Sequence, residues 1–466
     1  MDPEARQRRQ SIKVIISEAI MVLAVIVTVI ILALIVSGYW VNSDFKVERQ
    51  GMLQIASIPT GADVEIDNTT AWLQRTNTSK VLSSGEHTVK LTREGYDSWS
   101  KTININEGLL YRIHYPRLFL LNRSSEKVFD STGTTFATIA PSHNSLLLIN
   151  ETTEWQLLNL EAETIEAKKL DIAEYFNNVS VAEDAKVGLF TGKIKTVNWD
   201  RDAARVLFHV EGDNGSEWVL FDSKNPSNSI NLTKQFGVDF ELVKIFDNSA
   251  SNLLVVQNGN LHKLDVSGRA ISTILVENIG DFGYYGNELV FSARDAEGYY
   301  VGTGKVGDNK INILERTAEL ADVATFRFYD NRYIAVMIQN QLTLHKKDNY
   351  DEIVANFELN FAPETLRVGH DGEFITMSTG NQIITLDMEA RKLLNWQPVG
   401  EKFDWLDNDM IYSVSDGELG VYDFDGLNHR VLAKNVSRHF PVTITNDKWL
   451  YYFSDDSLVR EWLIPR

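Results

Sequence analysis

The sequence predicts an all-β protein with one transmembrane helix at its N-terminus and a β-propeller in its larger part. Three observations lead to this fold class. The run from Ala19 to Val36 contains no charge, proline or glycine. Short strands of alternating apolar and polar residues follow it, separated by turns that contain glycine. From residue 111 onward, groups of short apolar strands recur about every 40–45 residues, which is the spacing of propeller blades.

The apolar run predicts a membrane anchor over residues 14–40, because a helix of about 20 residues crosses the hydrocarbon core. The residues before it are basic, namely Arg6, Arg8, Arg9 and Lys13, and Tyr39 and Trp40 follow it. Lysine and arginine concentrate on the cytoplasmic side, and Tyr and Trp favour the interface. We expect residues 1–13 to be a cytoplasmic tail, residues 41–50 a linker, and the body to be extracellular or periplasmic. A cleaved signal peptide is the alternative, but its apolar region of about 7–15 residues is shorter.

Composition excludes several classes of function. The chain has no cysteine, so it forms no disulfide and no thiolate metal site. Its formal net charge of −19 argues against nucleic-acid partners, because phosphate binding requires clustered lysine and arginine. The expected partners are the lipid bilayer, through residues 14–40, and a surface or envelope protein or glycan. We expect no cofactor.

Residues 51–110 predict a small all-β unit. Val64–Ile66, His87–Leu91 and Ser100–Ile105 are the strands in which apolar and polar residues alternate. Glycines lie in the turns between them, where they permit a positive φ that other residues adopt only at a cost.

Three motifs of this unit occur in a characteristic order. They are Ser57-Ile58-Pro59-Thr60-Gly61-Ala62, Gly85-Glu86-His87 and Gly95-Tyr96. In this order they resemble the PEGA domain family, although Arg75-Thr76-Asn77-Thr78 stands in place of its Thr-Pro element. The resemblance implies a small β-sandwich of the kind found on anchored surface proteins, with no catalytic residues.

Two side chains of this unit require an interpretation. His87 begins a strand after a turn and has no second metal ligand at usable spacing, so we predict no metal site there. Trp72 lies in the polar loop 68–80. An exposed tryptophan is typical of contact residues, whereas a packed one stabilises its own domain. Packing is the favoured interpretation, and Trp72 remains the candidate ligand contact.

The repeats over residues 111–466 predict a propeller of eight blades, with seven as the alternative. The clearest repeat contains Val197–Trp199, Arg205–Val210 and Glu217–Asp222. No helix of about 10 residues separates the strands, which argues against a parallel α/β sheet. The last repeat has three strands, so we expect Pro116–Leu121 to supply its fourth and close the ring, since closure removes exposed edges. Later first strands end near Phe246, Tyr284, Phe328, Val368, Trp405 and Ile444.

Two turns resemble those of TolB-type or WD-like propeller repeats. They are Asn198-Trp199-Asp200-Arg201-Asp202-Ala203 and Val421-Tyr422-Asp423-Phe424-Asp425-Gly426. The resemblance implies the architecture and, by analogy alone, a binding platform.

The candidate catalytic residues are polar side chains in turns after first strands. Aspartate is common in such turns because it bonds nearby backbone amides, and we favour this structural interpretation. No nucleophile elbow, His-Glu-x-x-His or Walker motif occurs. A calcium loop starting at Asp423 would need an acid where Lys434 stands. We therefore predict no catalytic residue. The candidates are Asp200, Asp202, Asp247, Asp330, His370, Asp371, Asp407 and Asp409.

The first blade carries an insertion at Glu161–Lys193. Ile165, Leu170, Ile172 and Phe176 have a loosely helical spacing within it. We expect a surface elaboration, with partner docking or covering of the channel as the alternative.

Together these features predict a non-catalytic, membrane-anchored surface protein that displays a propeller on a PEGA-like spacer. An enzyme that processes envelope polymers with channel acids is one alternative. A signalling subunit that acts through the membrane span is another.

Overall fold

The structure is a computed structural model that divides the chain into two compact units, Met1–Leu121 and Asn122–Arg466. It describes residues 18, 20–30, 32–33, 39–41, 47–180, 188–246, 251–308, 310–347, 349–369, 372–380, 382–400 and 403–465. For residues 39–41, 47–49, 70–74 and 349–351 it describes the backbone alone.

The apolar run near the N-terminus is helical where it is described, at residues 20–30 and 32–33. The predicted span 14–40 lies partly outside the described residues. Within the part of the chain that is described, no helix is both long enough and apolar enough to cross a membrane.

The first unit contains two four-stranded sheets among its described residues. One has the order β1-β2-β5 with β8 parallel to β2, and the other has the order β4-β3-β6-β7. The strands are β1 (Tyr39–Val41), β2 (Val47–Ile55), β3 (Asp63–Ile66), β4 (Thr69–Arg75), β5 (Thr78–Ser83), β6 (Gly85–Thr92), β7 (Trp99–Ile105) and β8 (Leu110–Ile113).

The predicted alternation explains the core of this unit. Leu53 and Ile55 of one sheet and Val89 and Leu91 of the other are buried, whereas the residues between them face outward. The sheets approach closely at Gly51, where an added Cβ would lie 2.5 Å from Ile105 Cγ2. Only glycine fits this position without displacing its neighbour.

Three predicted boundaries differ from the structure. The predicted polar loop 68–80 is largely strand, because β4 and β5 occupy it. The predicted linker 41–50 overlaps β1 and β2. Residues 111–121, assigned from sequence to the propeller, belong to the first unit: Leu118 N–H donates to Ile58 O (2.8 Å) and Leu121 N–H to Gly95 O (2.9 Å).

The second unit contains eight four-stranded antiparallel sheets within its described residues. We call them blades 1 to 8: β10–β13, β16–β19, β20–β23, β24–β27, β28–β31, β32–β35, β36–β39, and β40–β42 with β9. The strands are β9 (Ser125–Asp130), β10 (Thr134–Ile139), β11 (Ser145–Asn150), β12 (Glu154–Asn159), β13 (Ala167–Asp171), β14 (Val179–Ser180), β15 (Leu189–Phe190), β16 (Lys193–Trp199), β17 (Arg205–Gly212), β18 (Gly215–Asp222), β19 (Ile230–Asn231), β20 (Leu242–Ile245), β21 (Asn252–Gln257), β22 (Asn260–Asp265), β23 (Ala270–Ile271), β24 (Ile279–Tyr285), β25 (Glu288–Asp295), β26 (Gly298–Lys305), β27 (Ile311–Thr317), β28 (Asp322–Phe328), β29 (Asn331–Ile338), β30 (Gln341–Lys346), β31 (Asn349–Glu358), β32 (Thr365–Val368), β33 (Phe374–Thr379), β34 (Gln382–Asp387), β35 (Lys392–Trp396), β36 (Phe403–Trp405), β37 (Met410–Ser415), β38 (Glu418–Asp423), β39 (Arg430–Ala433), β40 (Thr443–Thr445), β41 (Trp449–Ser454) and β42 (Ser457–Trp462).

The packing between blades arranges them in a ring. A hydrophobic cluster joins each neighbouring pair from blade 1 to blade 6, and another joins blade 8 to blade 1. Phe374 of blade 6 stacks on Phe424 of the segment after β38, with ring centroids 3.8 Å apart. Val442 N–H, just before blade 8, donates to the Tyr412 hydroxyl of blade 7 (3.3 Å). The second unit is therefore a β-propeller, and its eight sheets agree with the favoured count.

Short hairpins within the blades follow from local sequence. Asn258-Gly259 joins β21 to β22 with φ values of 51° and 71°, and Asp416-Gly417 joins β37 to β38 with φ values of 50° and 76°. Positive φ at both residues is the turn that matches the twist of paired strands, and it favours Asn-Gly and Asp-Gly.

The strand that closes the ring is β9, not the predicted Pro116–Leu121. It pairs antiparallel with β42, so blade 8 combines both ends of the unit. Arg460 of β42 donates to Glu126 Oε1 of β9 (2.6 Å), and Arg123 forms an ion pair with Glu461. These contacts hold the closing strand by side chains as well as by its backbone ladder.

The insertion in the first blade is strand where helical spacing was predicted. β13 completes blade 1, and β14 and β15 form a short hairpin. Residues 181–187 lie outside the described residues. Leu170 and Ile172 are both buried, which is the spacing of a strand.

Candidate functional site

Two of the candidate acids are bound by their own turns. Asp200 Oδ1 accepts hydrogen bonds from Ala204 N–H (2.7 Å) and Arg205 N–H (3.0 Å). Asp407 Oδ1 accepts from Asp409 N–H (2.9 Å) and Met410 N–H (2.8 Å). These carboxylates stabilise the turn between the first and second strands of their blades, which is the structural role predicted for them.

Two of the remaining candidates are exposed aspartates in turns. Asp330 is almost fully exposed and pairs with Arg327 (3.0 Å). Asp202 is exposed in the turn after β16. Asp247, His370 and Asp371 lie outside the described residues.

The turn at Asp423–Gly426 also uses its acids locally. Asp425 Oδ1 accepts from Leu427 N–H (3.1 Å), and Asp423 Oδ2 accepts from Asn428 Nδ2 (2.8 Å). Both bonds stay within the connection between the third and fourth strands of blade 7.

The structure describes the side chain of His87 but not that of Trp72, the two residues interpreted in the first unit. The backbone of Trp72 lies in β4, and its side chain lies outside the described residues, so its role as a ligand contact stays a prediction. His87 is in β6, where Nδ1 lies 2.6 Å from Asp67 Oδ2 and Nε2 lies 2.9 Å from Ser83 O. Both ring nitrogens are thus used within the unit.

A polar cleft of about 720 Å³ lies between blades 2 and 3, and the sequence did not predict it. Its walls come from the segment after blade 1, the connection between β18 and β19, and the turn between β22 and β23. We call it the blade 2–3 cleft. A volume of this size is within the range of small-molecule sites in proteins.

Three basic side chains line this cleft. Arg205 begins β17, Lys234 lies in the short helix α1 (Leu232–Phe236), and Arg269 lies in the turn before β23. The Asn231 side chain caps α1 by accepting from Lys234 N–H, and Gly237 ends it with a φ of 64°. The caps fix the helix, and so the backbone of Lys234, beside the cleft.

The charges and donors of the cleft favour an anion. Arg205 Nε lies 3.5 Å from the buried Asp222 carboxylate, while Lys234 and Arg269 have no ion pair with any described residue. Glu174 is the acidic residue of the lining. The Gln235 Nε2 atom is buried without a hydrogen-bond acceptor among the residues that the structure describes. An unpaired buried donor is costly.

These residues escaped the sequence interpretation because they are far apart in the chain. Arg205, Lys234 and Arg269 occur singly and form no motif. The available signal was indirect: blade 2 has a long, polar connection before its fourth strand, with Pro226 and several serines and asparagines. Loops of that kind often carry function.

Comparisons with known proteins identify one part of the chain. The PEGA domain family matches residues 50–116, which confirms the resemblance predicted for this part of the chain. A comparison with curated proteins finds no match.

Solved structures similar to the chain have low sequence identity. Dihydro-heme d1 dehydrogenase NirN in complex with DHE is 12% identical, with 65% of this chain and 66% of that chain covered and a TM-score of 0.42. This chain therefore spans slightly less than two thirds of NirN. Kluyveromyces lactis Hsv2 is 11% identical over 67% and 99% of the two chains, with a TM-score of 0.43. The β-propeller domain of Myceliophteria thermophila Cps50 (Swd1) is 10% identical over 74% and 100%, with a TM-score of 0.40.

Residues 50–116 therefore contain a PEGA domain, and the described residues of the second unit form a β-propeller of eight blades.

Proposed function

We propose that this protein is a membrane-anchored, outward-facing surface protein whose propeller binds or presents a ligand without catalysing a reaction. The observation that carries the proposal is the run of apolar side chains at Ile20–Ile30 and Leu32, whose large hydrophobic members are 45–63% exposed. A helix that is apolar on all sides is stable only when something covers it. A lipid bilayer provides such a cover.

The charge distribution supports the orientation. Residues 122–466 contain 52 acidic and 32 basic residues, whereas residues 47–121 contain eight of each. Anionic lipid repels an acidic propeller, whereas it does not repel a PEGA domain in which acidic and basic residues are equal in number. The basic residues before the apolar run favour a cytoplasmic N-terminus. The PEGA domain would then act as a spacer.

The non-catalytic part of the proposal is supported by how the candidate acids are used. Asp200 and Asp407 bind backbone amides of their own turns. A carboxylate held in this way has fewer lone pairs for a substrate. The blade 2–3 cleft is the concave site that we assign to binding.

Membrane extraction tests the anchor. We expect the full-length protein to stay with membranes through an alkaline wash. Replacing Val25 and Val29 with lysine should release most of it, because each lysine at the centre of a span costs about 2.5–3.5 kcal/mol. Val431→Lys, at an exposed position of the propeller, is the matched control and should leave extraction unchanged. Release of the wild-type protein by the wash would contradict the proposal.

A further inference from the structure

We propose that the blade 2–3 cleft binds a sugar that carries one carboxylate or phosphate group. This inference names a ligand class for the binding role proposed above. It rests on the propeller acting as a binding platform and is independent of the membrane anchor. Its two elements are an anionic group held by basic side chains and a hydroxylated body held by the polar walls.

The basic side chains approach the cleft from two different blades. Lys234 comes from blade 2 and Arg269 from blade 3, and neither pairs with an acidic group among the described residues. The rest of the unit has a large excess of acids. Two cations left without acidic partners in such a surrounding leave the cleft with a local positive charge.

The walls of the cleft fit a hydroxylated ligand rather than an apolar one. Ser227, Asn228 and Ser267 are exposed and line it. Serine hydroxyls and side-chain amides both donate and accept hydrogen bonds, as sugar hydroxyls do. Leu220, Ile230 and Val266 also line the cleft, but polar atoms form the larger part of its surface.

The charge of the propeller limits how anionic the ligand can be. Its net charge of −20, from 52 acids and 32 bases, repels long polyanions at low salt. A nucleic acid or a densely charged polymer is therefore disfavoured. A short saccharide with a single anionic group gains the contacts with Lys234 and Arg269 and avoids most of the repulsion.

Three monosaccharides with the same ring test the inference directly. Glucose, glucuronic acid and glucose 6-phosphate differ only at C6, which is a hydroxymethyl group, a carboxylate or a phosphorylated hydroxymethyl group. Binding of each to the purified full-length protein is measured by ligand-observed NMR titration. We expect glucuronic acid, glucose 6-phosphate or both to bind at least about tenfold more tightly than glucose, because one charge-assisted contact is worth about 1.5–3 kcal/mol. Which of the two binds identifies the anionic group.

Two variants locate the site. Lys234→Gln with Arg269→Gln should weaken binding of the anionic sugar at least about tenfold. Lys310→Gln with Lys392→Gln removes the same charge from exposed positions on other blades, and we expect it to change the dissociation constant less than about twofold. Ser267→Trp, which fills the cleft from an exposed position, should also weaken binding and keeps the test valid should the double variant fold poorly.

Several results would overturn the inference. They are equal binding of glucose and the anionic sugars, no binding of either anionic sugar, or unchanged binding in both cleft variants. A failure of the membrane extraction test would leave these binding results unaffected, so the two proposals are tested separately.

Discussion

Replacing Glu217 with alanine tests how the segment between blades 1 and 2 is held in place. Glu217 is only 2% exposed, and its carboxylate accepts four hydrogen bonds. Oε1 accepts from the backbone N–H (3.0 Å) and Nδ2 (2.9 Å) of Asn178. Oε2 accepts from Asn177 N–H (2.9 Å) and Asn231 Nδ2 (2.7 Å). One buried carboxylate thus connects the blade 1 insertion to blade 2.

The magnitude follows from the donors that would lose their acceptor. A hydrogen bond to a charged group contributes about 1.5–3 kcal/mol. Asn178 is fully buried, and it would lose two hydrogen bonds in Glu217→Ala, although Nδ2 would keep its bond to Gly215 O (3.1 Å). Counting these two alone, we expect a loss of about 3–6 kcal/mol in the free energy of unfolding. Glu217→Gln keeps one acceptor oxygen and should lose about half as much.

Urea unfolding followed by tryptophan fluorescence measures this loss. Amide hydrogen exchange at Asn177 and Asn178 provides a local readout, and we expect it to become faster in Glu217→Ala. Glu154→Gln, which removes an exposed ion pair with Lys169, is the control and should leave the unfolding midpoint nearly unchanged. An alanine variant with the midpoint and slope of the wild type would refute the reasoning.

Three further predictions concern ring closure, acid sensitivity and a buried indole. Arg460→Ala should lower the free energy of unfolding, measured in urea titrations, by about 3–5 kcal/mol, because it removes the buried side chain that binds Glu126 of the closing strand. A loss below about 1 kcal/mol would contradict this prediction. The hydrogen bond from His87 lowers the pKa of Asp67 below its usual 3.8, so the first unit gains stability above that pH and loses it as the pH falls through the lower folded value. In acid titrations followed by circular dichroism, His87→Gln should make the stability of the first unit depend less on pH. A pH dependence equal to that of the wild type would contradict the role assigned to this hydrogen bond. Trp155 Nε1 has no acceptor among the described residues, whereas Trp218 Nε1 donates to Phe240 O (2.9 Å). Trp218→Phe should therefore lower the free energy of unfolding by about 1 kcal/mol more than Trp155→Phe does, as measured by thermal or urea unfolding. The reverse order would refute this prediction.

The sequence predicted the parts of the fold that depend on local patterns. Alternation with a period of two located the strands of the PEGA domain, and Val64 and Ile66 are buried as expected. The recurrence of three apolar strands located the blades, because each blade is one local supersecondary unit. Hairpins such as the one at Asn258-Gly259 follow from turn chemistry over a few residues.

The parts that were wrong depend on distant pairing or on ambiguous spacing. The closing strand Ser125–Asp130 pairs with residues more than 300 positions away, and its side chains are mostly half-buried or exposed. It therefore carries little apolar pattern to distinguish it from Pro116–Leu121. In the insertion, Leu170 lies in β13 and the buried Ile172 follows directly after its end, but the apolar residues around them also match a helical spacing.

The blade 2–3 cleft could not be predicted from the sequence, for a related reason. Its basic residues are separated by about 30 positions each, and only the ring brings them together. The acids at Asp200 and Asp407 were interpreted correctly because their partners are backbone amides within five residues.

The topology of the chain in cells is the most direct test of the proposed function. The protein has no cysteine, so Lys392→Cys on the propeller, or Arg9→Cys before the apolar run, provides a single reactive thiol. A membrane-impermeant maleimide is added to intact cells and, separately, to lysed cells. We predict that Lys392→Cys is labelled in intact cells, whereas Arg9→Cys is labelled only after lysis. Labelling of Lys392→Cys only after lysis would contradict an outward-facing propeller.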